Sequence, residues 1–372
     1  MVRTSSQANS QTQEDDNAPD SGPVVFSGDG EPQSPESTIA QLNSLLAAGK
    51  LNPDSYSLGG SVEAFEKRMA EELGKEAAIW MPTGTLANHL ALRRHAGTNS
   101  RIILQEQSHI YHDEGDGLAK LSGLNAVPLA HGRPYFTADE LRIALDQSVG
   151  GRVLNPVGAV SIESPVRRQA GQIMPWDKME AVTQLCREEG IPVHLDGARL
   201  YMMSAATGIG VREYSDLFDS VYVSGYKYFG SPIGAILAGQ TDFIEGMYHD
   251  RRMFGGGLSS AYVAAGLSLA GVEGFAERFN EALTKAKELF GSINQLTGIE
   301  IRGFEHGSNI FELHLDPKID TDQFKADLLA SGVTLSAMIP EWPIQLMHVN
   351  TTILRRSNDE ITQAFSDALK NA

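Results

Sequence analysis

Hydrophobic and polar positions follow two rhythms along the first two thirds of the chain. Short apolar runs bounded by polar or glycine residues predict buried strands, and they occur at 77–81, 101–106, 158–164, 191–196, 220–225 and 235–239. Apolar residues spaced three or four positions apart predict helices, and they occur at 34–49, 62–73, 85–96 and 176–190. Strands that alternate with helices predict an α/β fold, with a mostly parallel sheet sandwiched by helices.

The pattern changes at about residue 257. Long helical stretches follow, and then a strand, a helix and a strand (NIFELHL, DQFKADLLASG, IQLMHVN). We therefore predict an N-terminal segment with a large domain at 23–256 and a smaller C-terminal α+β domain at 257–372. Residues 1–22 are rich in Ser, Gln, Asn and Asp and are predicted to form a disordered tail.

Composition and charge narrow the class of protein. The chain has 372 residues and a formal net charge of −17. Nucleic acids and anionic membranes need a basic surface, so neither is expected as the main partner. No apolar run reaches the roughly 18 residues of a membrane-spanning helix. The sequence has a single cysteine, Cys186, so no internal disulfide forms, and we expect a cytoplasmic protein with a packed thiol there.

Sequence signals for several common cofactors are missing. No G-x-G-x-x-G lies between a predicted strand and helix, and there is no G-x-x-x-x-G-K-[ST]. A dinucleotide or ATP enzyme of the usual kind is therefore not expected. Cysteines and histidines also lack the spacing of a zinc site.

Candidate catalytic residues stand where predicted strands end. Asp196 closes the strand IPVHLD, and Arg199 follows three residues later. The carboxyl ends of strands in an open α/β sheet face the ligand crevice, so Asp196 can meet a buried positive nitrogen there. The guanidinium of Arg199 can hold a carboxylate with two hydrogen bonds. The alternative is an aspartate that caps a helix and an arginine on the surface.

The segment MPTGTLAN is a candidate phosphate site. A predicted strand leads into Thr83, Gly84 and Thr85, and a helix begins at once. Free backbone N–H groups and the helix dipole favour an anion at such a point, and Gly84 lets the backbone approach it closely. The alternative is a plain threonine N-cap with no ligand.

His109 follows the strand RIILQE in the segment QSHIYHDEGDG. Its imidazole can stack on a flat ring or move a proton near neutral pH. A histidine that is only hydrogen-bonded in the structure is the alternative. The neighbouring His and acidic residues match no closed metal site, so no metal is predicted.

Lys227 stands between two tyrosines, after an apolar run and before the turn GSPIG. A lysine in a dry site has a lowered pKa and becomes a nucleophile toward an aldehyde. The alternative is a lysine that extends its head to solvent. Together the strand-end residues offer a phosphate cradle, a ring-stacking histidine, a carboxylate, an arginine and a lysine. That set is what pyridoxal phosphate requires.

At these residues the sequence resembles the threonine aldolase branch of the fold-type I pyridoxal-phosphate enzymes, also called the aromatic amino acid β-eliminating lyase/threonine aldolase family. The resemblance runs from about Val25 to about Asn371. Its anchors are KEAAIWMPTGTLAN, HLDGAR, the Lys227 block that ends GSPIGAILAG, and RRMFGGGLSSAYVAAG. The ordered combination is specific, whereas each piece alone is not.

The resemblance implies roles for the strand-end residues. Lys227 is similar to the lysine that bonds to the cofactor aldehyde, and Asp196 to the carboxylate that keeps the pyridine nitrogen protonated. His109 is similar to the histidine that stacks on the ring. Gly84 and Thr85 match the phosphate cradle.

The resemblance also implies residues for the substrate and for a neighbouring subunit. Arg199 is similar to the arginine that binds the substrate carboxylate. Arg251 and Arg252 match basic residues that approach the phosphate from the neighbouring subunit, and Tyr56 matches an active-site tyrosine at the dimer interface, where it would contact the substrate. A homodimer or homotetramer with shared active sites is therefore implied.

This chain departs from the family pattern around the expected substrate. Family aldolases commonly carry E-N-x-H-N-G after the strand that here ends IES, whereas this chain has ESPVRRQAGQ. Arg167 and Arg168 stand there, and they either bind an acid group of the substrate or face solvent. Gln345 stands where a second carboxylate-binding arginine is expected, and Tyr226 replaces a common serine before the lysine.

The resemblance implies a lyase that cleaves the Cα–Cβ bond of a β-hydroxy-α-amino acid to glycine and an aldehyde. β-Elimination on another amino acid with the same cofactor is the first alternative, and a binding protein that keeps the fold without activity is the second.

Overall fold

The computed structural model describes residues 22–338 and 342–372. Residues 1–21, where the disordered tail is predicted, lie outside the described residues. The described strands are β1 (Val24–Phe26), β2 (Ala77–Met81), β3 (Arg101–Gln105), β4 (Asn125–Leu129), β5 (Val157–Glu163), β6 (Val193–Asp196), β7 (Ser220–Ser224), β8 (Ala235–Gly239), β9 (Ile299–Gly303), β10 (Ile310–Leu315), β11 (Val333–Leu335) and β12 (Gln345–His348).

The described α-helices begin and end as follows: α1 (Pro35–Ala47), α2 (Gly60–Leu73), α3 (Gly84–Ala96), α4 (His109–His112), α5 (Gly117–Ser122), α6 (Ala138–Val149), α7 (Trp176–Glu188), α8 (Leu200–Thr207), α9 (Val211–Asp216), α10 (Thr241–Ile244), α11 (Met247–Met253), α12 (Tyr262–Val272), α13 (Phe275–Ile293), α14 (Thr321–Ala330) and α15 (Asn358–Asn371). Short 3-10 helices lie at Arg167–Gln169 and Thr351–Arg355.

The strands and helices predicted from the apolar pattern are confirmed, with ends that shift by one or two residues. The helix predicted at 34–49 is α1, and its start is fixed by a capping box between Ser34 and Ser37. The helix predicted at 62–73 is α2, and it ends where Gly74 takes a left-handed conformation. The strand predicted at 191–196 begins only at Val193.

Seven strands form the large sheet, in the order β2-β8-β7-β6-β5-β3-β4. The pairs from β7 to β4 are parallel, whereas β8 is antiparallel to both of its neighbours. The predicted α/β fold with a mostly parallel sheet is therefore confirmed. Because the six other strands share one direction, their carboxyl ends meet at a single edge of the sheet.

Helices cover both faces of this sheet. Ile79 and Met81 on β2 pack in one core with Leu90 of α3. Trp80, which lies between them on the strand, packs on the other face in a core that includes Phe65 of α2. Successive side chains of a strand point to opposite faces, so this split is what a sheet buried on both sides requires.

The smaller lobe is built on a three-stranded antiparallel sheet in the order β12-β10-β9. Its core joins α13, α14 and α15 with this sheet. The N-terminal strand β1 also belongs to this core, because Val24 and Phe26 are buried in it and β1 pairs in parallel with β11. Some residues after the predicted boundary at 256/257 pack with the large lobe, because α12 and the first turn of α13 lie in its core.

None of the helices in the described part of the chain combines the length and the apolar character needed to span a membrane.

Candidate active site

A narrow cavity lies at the carboxyl edge of the large sheet, and we call it the lysine cavity. Six of the residues that line it carry the argument below, namely Gly84, Asn88, His109, Asp196, Arg199 and Lys227. They close or follow four strands: Gly84 and Asn88 lie on the helix after β2, His109 comes after β3, Asp196 and Arg199 close and follow β6, and Lys227 comes after β7. The structure thus brings together residues that are as much as 143 positions apart between Gly84 and Lys227.

Lys227 lies in the turn between β7 and β8, and its amine faces the cavity. Burial, and after it the nearby Arg199 guanidinium, lowers the pKa of Lys227 to about 8. The N-terminal segment lies directly over this turn, since a Cβ on Gly30 would stand 2.7 Å from the carbonyl oxygen of Lys227. Only glycine permits so close an approach. The amine is therefore held in a tight, dry place where its neutral form is accessible near neutral pH.

Asp196 is fixed by a buried chain of hydrogen bonds. The Asn88 Nδ2 donates to Asp196 Oδ2 at 2.8 Å, and the Ala198 backbone N–H donates to Oδ1 at 3.2 Å. The Oδ1 of Asn88 lies 3.0 Å from His194 Nε2, whose other ring nitrogen is 2.8 Å from the Ser220 hydroxyl. Burial lowers the pKa of His194 to about 3, so its ring is neutral. The chain presents a carboxylate with fixed orientation to the cavity.

His109 begins α4 and is hydrogen-bonded to a carboxylate. Its Nδ1 lies 3.1 Å from Glu114 Oε1, and this hydrogen bond raises the pKa of His109, although burial acts the other way. The His109 backbone N–H donates to Glu163 Oε2 at 2.6 Å. The imidazole is therefore positioned from both its backbone and its ring, which leaves Nε2 for a partner in the cavity.

Glu163 closes β5 and joins two parts of the site. Besides His109, its carboxylate accepts the backbone N–H of Arg167 at 2.9 Å. Burial raises the pKa of Glu163 to about 7, and the Asp196 carboxylate adds to the rise. Sequence reasoning did not select Glu163, although the available signal was the same as for Asp196, an acidic residue at the end of an apolar strand.

Arg199 forms a buried ion pair that the sequence did not predict. Its Nε donates to Asp29 Oδ2 at 2.8 Å, and the two side chains are 10% and 8% exposed. Asp29 lies just after β1 and is 170 residues away in sequence. Among the described residues, the terminal guanidinium nitrogens of Arg199 make no hydrogen bond. They remain available to a ligand carboxylate.

Gly84 and Thr85 begin α3 at the rim of the lysine cavity. The Thr83 hydroxyl accepts the Leu86 N–H at 3.2 Å, so the predicted N-cap forms. A Cβ on Gly84 would lie 2.0 Å from the Tyr222 hydroxyl oxygen, so this position admits no side chain. The threonine N-cap leaves other backbone N–H groups of the first turn unpaired among the described residues, so the start of α3 remains suitable for binding an anion.

Arg251, Arg252 and Tyr56 do not line the lysine cavity. The Arg251 guanidinium is buried and donates to the carbonyl oxygens of Trp80 at 2.6 Å and Ser57 at 3.2 Å. Arg252 lies over the ring of Tyr56, 4.5 Å from its centroid. Tyr56 itself is 47% exposed. Their expected roles toward a neighbouring subunit stay predictions.

A second cavity of about 370 Å³ adjoins the first and shares Arg199 with it. We call it the arginine pocket, and its polar lining residues are Asp113, Arg167, Arg168, Arg199, Trp342 and His348. Arg167 and Arg168 therefore stand next to the lysine cavity. His348 was not predicted from the sequence.

Gln345 does not face the arginine pocket. Its side-chain amide nitrogen, Nε2, donates to the carbonyl oxygens of Ser336 and Leu346, each at 2.9 Å. Side chains alternate along β12, so Leu346 and His348 line the pocket while Gln345 turns away. The Gln345 side chain therefore does not line the arginine pocket, and the expectation that it stands in place of a family arginine stays a prediction.

The fold and the site define the class of pyridoxal-phosphate enzymes of fold type I, and comparisons with known proteins agree. The family described as beta-eliminating lyase matches residues 38–315. The chain belongs to this family, whose members use pyridoxal phosphate.

One curated relative is the low-specificity L-threonine aldolase of Candida albicans, which is 31% identical over 252 residues, 66% of each chain. A solved structure assigned as an L-allo-threonine aldolase from Listeria monocytogenes is 28% identical, with a TM-score of 0.76 over 94% of this chain and 97% of the other. A second, assigned as an aromatic amino acid beta-eliminating lyase/threonine aldolase from Exiguobacterium, is 25% identical, with a TM-score of 0.79 over 95% and 98%.

The residues present fit the cofactor of the family. Lys227 supplies an amine with a lowered pKa, and Asp196 supplies a buried carboxylate that Asn88 holds in place. Gly84 has no Cβ, so the Tyr222 ring packs directly against the bare backbone at the start of α3. Within the described residues, no group of three or more His, Cys, Asp or Glu side chains is arranged to hold a metal ion.

Proposed function

We propose that the protein cleaves the Cα–Cβ bond of a β-hydroxy-α-amino acid to glycine and an aldehyde, with pyridoxal phosphate held by Lys227, Asp196, Gly84 and Thr85. The observation that carries this proposal is the convergence of Lys227, Asp196, His109 and Arg199 on one cavity. Relatives of this chain bear the name threonine aldolase, which supports the same reaction class.

When bound, the cofactor supplies an electron-withdrawing ring that accepts the electron pair of the broken bond. Asp196, which Asn88 holds in place, would stabilise a protonated ring nitrogen of the cofactor. Lys227, whose pKa is about 8, is neutral in a useful fraction of molecules near neutral pH and can both attack an aldehyde and exchange a proton at Cα.

Arg199 binds the substrate carboxylate with its free terminal nitrogens, while Asp29 holds the guanidinium from its other side. This fixes the orientation of the substrate, so that the Cα–Cβ bond takes the direction in which it breaks most readily. Arg199 is thus a positioning group as well as a source of affinity.

His109 is the proposed base for the β-hydroxyl proton. Its Nδ1 is occupied by Glu114, so Nε2 accepts the proton. The hydrogen bond to Glu114 raises the pKa of His109, which stabilises the imidazolium that forms when the proton arrives.

The test is to incubate the holoenzyme with L-allo-threonine and to measure acetaldehyde and glycine. The Lys227→Ala variant should form neither product, and it should lack the absorption band at about 420 nm that is usual for a cofactor bonded to lysine. Lys67→Ala is the matched control, because Lys67 is an exposed lysine paired with Glu63. Pyruvate and ammonia from serine, with no acetaldehyde, would favour β-elimination instead. A protein that stays colourless with added cofactor would favour the binding-protein alternative.

We further propose that the chain is cytoplasmic and assembles as a homodimer or homotetramer. Several large apolar side chains are exposed in the single chain, including Tyr56, Leu58 and Met253, which are 47%, 52% and 63% exposed. Exposed apolar groups of this kind favour an interface. Light scattering should give two or four times the 40.2 kDa of one chain, and a mass of 40.2 kDa would contradict the assembly.

A further inference from the structure

The arginine pocket carries more donor groups than its own residues use. Arg168 Nε, Trp342 Nε1 and His348 Nδ1 are buried, and none of them has a hydrogen-bond partner among the described residues. All three residues line this one pocket. Buried polar atoms are nearly always paired in native structures, and Arg168 Nε and Trp342 Nε1 can only donate, so the unpaired atoms around this cavity indicate a ligand that brings acceptors.

The charges in the pocket are also unbalanced. Arg167 and Arg168 share a single carboxylate, Asp113, at N···O distances of 3.7 and 3.4 Å. Close charge-assisted pairs have distances of about 2.7–2.9 Å, so Asp113 engages neither arginine fully. With Arg199 paired to Asp29, one positive charge remains without a counter-ion among the lining residues.

The pocket also has an apolar wall. Ala170, Ile310 and Leu346 pack together, and Trp342 packs against them. This wall suits a carbon chain that passes from the lysine cavity toward the arginines. A methyl group, such as that of threonine, would leave most of the 370 Å³ unfilled and would offer no acceptor to the unpaired donors.

We propose that the substrate is a β-hydroxy-α-amino acid whose β-substituent ends in a carboxylate. The inference rests on the proposed function and names the substrate class of the same site. Arg199 holds the α-carboxylate, and Arg168 with Arg167 holds the distal one, while Trp342 and His348 complete the contacts of the distal acid.

The reaction balances without a further reactant. The Cα–Cβ bond breaks, its electron pair stays with Cα, and Cα then takes one proton. The β-hydroxyl loses its proton and becomes the carbonyl of an aldehyde acid. The products are glycine and an oxo acid, and no oxidant or reductant is needed.

The first arm of the test compares 3-hydroxyaspartate, L-allo-threonine and phenylserine as substrates of the holoenzyme, with glycine as the common product. These carry an acid, a methyl group and a neutral ring at Cβ. We expect kcat/KM for the acid to exceed that for L-allo-threonine by at least about tenfold, the range of a hydrogen bond to a charged group.

Arg168→Gln removes the charge and should lower the ratio of kcat/KM for the acid to that for L-allo-threonine by roughly 10- to 100-fold. The ratio for Arg168→Lys should fall between the ratios for wild type and Arg168→Gln, because lysine keeps the charge but not the planar group that donates two parallel hydrogen bonds. Arg142→Gln is the matched control, since Arg142 pairs with Glu189 on the surface, and it should leave the ratio unchanged.

The second arm measures binding of succinate and butyrate to the holoenzyme by calorimetry. Neither has an amine, so neither reacts with the cofactor. We expect succinate to bind more tightly than butyrate, and Arg168→Gln to reduce that preference by the same factor as in the first arm.

The outcomes separate the two proposals. Glycine from all three substrates with no preference for the acid, and no preference for succinate, would overturn the acid pocket and leave the aldolase reaction standing. A preference for phenylserine would assign the pocket to an aromatic ring and overturn the carboxylate. No glycine from any substrate, with an Arg168-dependent preference for succinate, would reject the aldolase reaction and support the acid pocket.

Discussion

The ion pair between Asp29 and Arg199 permits a quantitative prediction. Replacing Asp29 with alanine leaves the Arg199 guanidinium buried without its counter-ion. Both side chains are at most 10% exposed and their N···O distance is 2.8 Å, so solvent screens the lost interaction very little. Removal of one partner of a buried pair costs about 3–5 kcal/mol. We expect a loss of that size in the free energy of unfolding of Asp29→Ala.

The matched control is a surface pair with equally short contacts. Arg302 contacts Glu300 at 2.7 and 2.6 Å, but the two side chains are 55% and 50% exposed. Glu300→Ala should therefore lose far less stability than Asp29→Ala, because water screens exposed pairs. Comparing the two variants separates the effect of burial from the effect of contact distance.

The measurement is urea unfolding of the cofactor-free chains, followed by tryptophan fluorescence. Working without cofactor keeps ligand binding from adding its own stabilisation to the native state. The free energy of unfolding of Asp29→Asn should fall between those of wild type and Asp29→Ala, because asparagine keeps a hydrogen-bond acceptor but not the charge. If the free energy of unfolding of Asp29→Ala lies within about 1 kcal/mol of wild type, or if Glu300→Ala loses as much stability as Asp29→Ala, burial does not set the strength of these pairs.

Three further predictions use glycine packing, a buried acid and the single thiol. Gly84→Ala should sharply reduce activity and cofactor affinity, because its Cβ would overlap the hydroxyl of Tyr222. The control is Gly291→Ala, which has open space around it and should keep activity and raise the free energy of unfolding by up to about 1 kcal/mol. The pKa of Glu163 is raised to about 7, so the stability that its protonated form contributes is fully present below the ordinary pKa of 4.5 and is lost as the pH rises through 7. The free energy of unfolding of wild type, relative to that of Glu163→Gln, should therefore fall over that pH window. A difference that stays constant with pH in urea titrations would contradict this. Burial raises the pKa of Cys186 to about 12, so a thiol reagent at pH 8 should label it only after unfolding, and rapid labelling of the native protein would refute its burial.

The sequence was sufficient for the parts of the site that lie at the ends of strands. Asp196, His109 and Lys227 were selected because an apolar run ends just before each of them, and parallel strands bring such ends to one edge. The apolar pattern likewise predicted six of the seven strands of the large sheet, all but β4, and the limits of α1, α2, α3 and α7 to within two residues. These features are local in sequence or repeat with a short period.

The remainder of the site depends on contacts that no short pattern encodes. Asp29 meets Arg199 only because β1 crosses to the C-terminal lobe, and nothing near Asp29 in sequence indicates a partner 170 residues away. Gln345 was assigned by its place in a motif, but the alternation of side chains along β12 turns it from the pocket and turns His348 toward it. A register difference of one residue decides such a case, and a single sequence does not fix it.

The pairing of β1 with β11 has a consequence for the order in which the molecule matures. Val24 lies opposite Val333 in this pair, so the first strand of the fold waits for one of the last. During synthesis, which proceeds from the N-terminus at about 5–20 residues per second, the large sheet can form while β1 still has no partner. Asp29 follows β1 directly, and Arg199 therefore gains its counter-ion only after the C-terminal lobe has emerged. A nascent chain that stops short of Val333 is expected to hold a folded sheet and an unfinished catalytic centre.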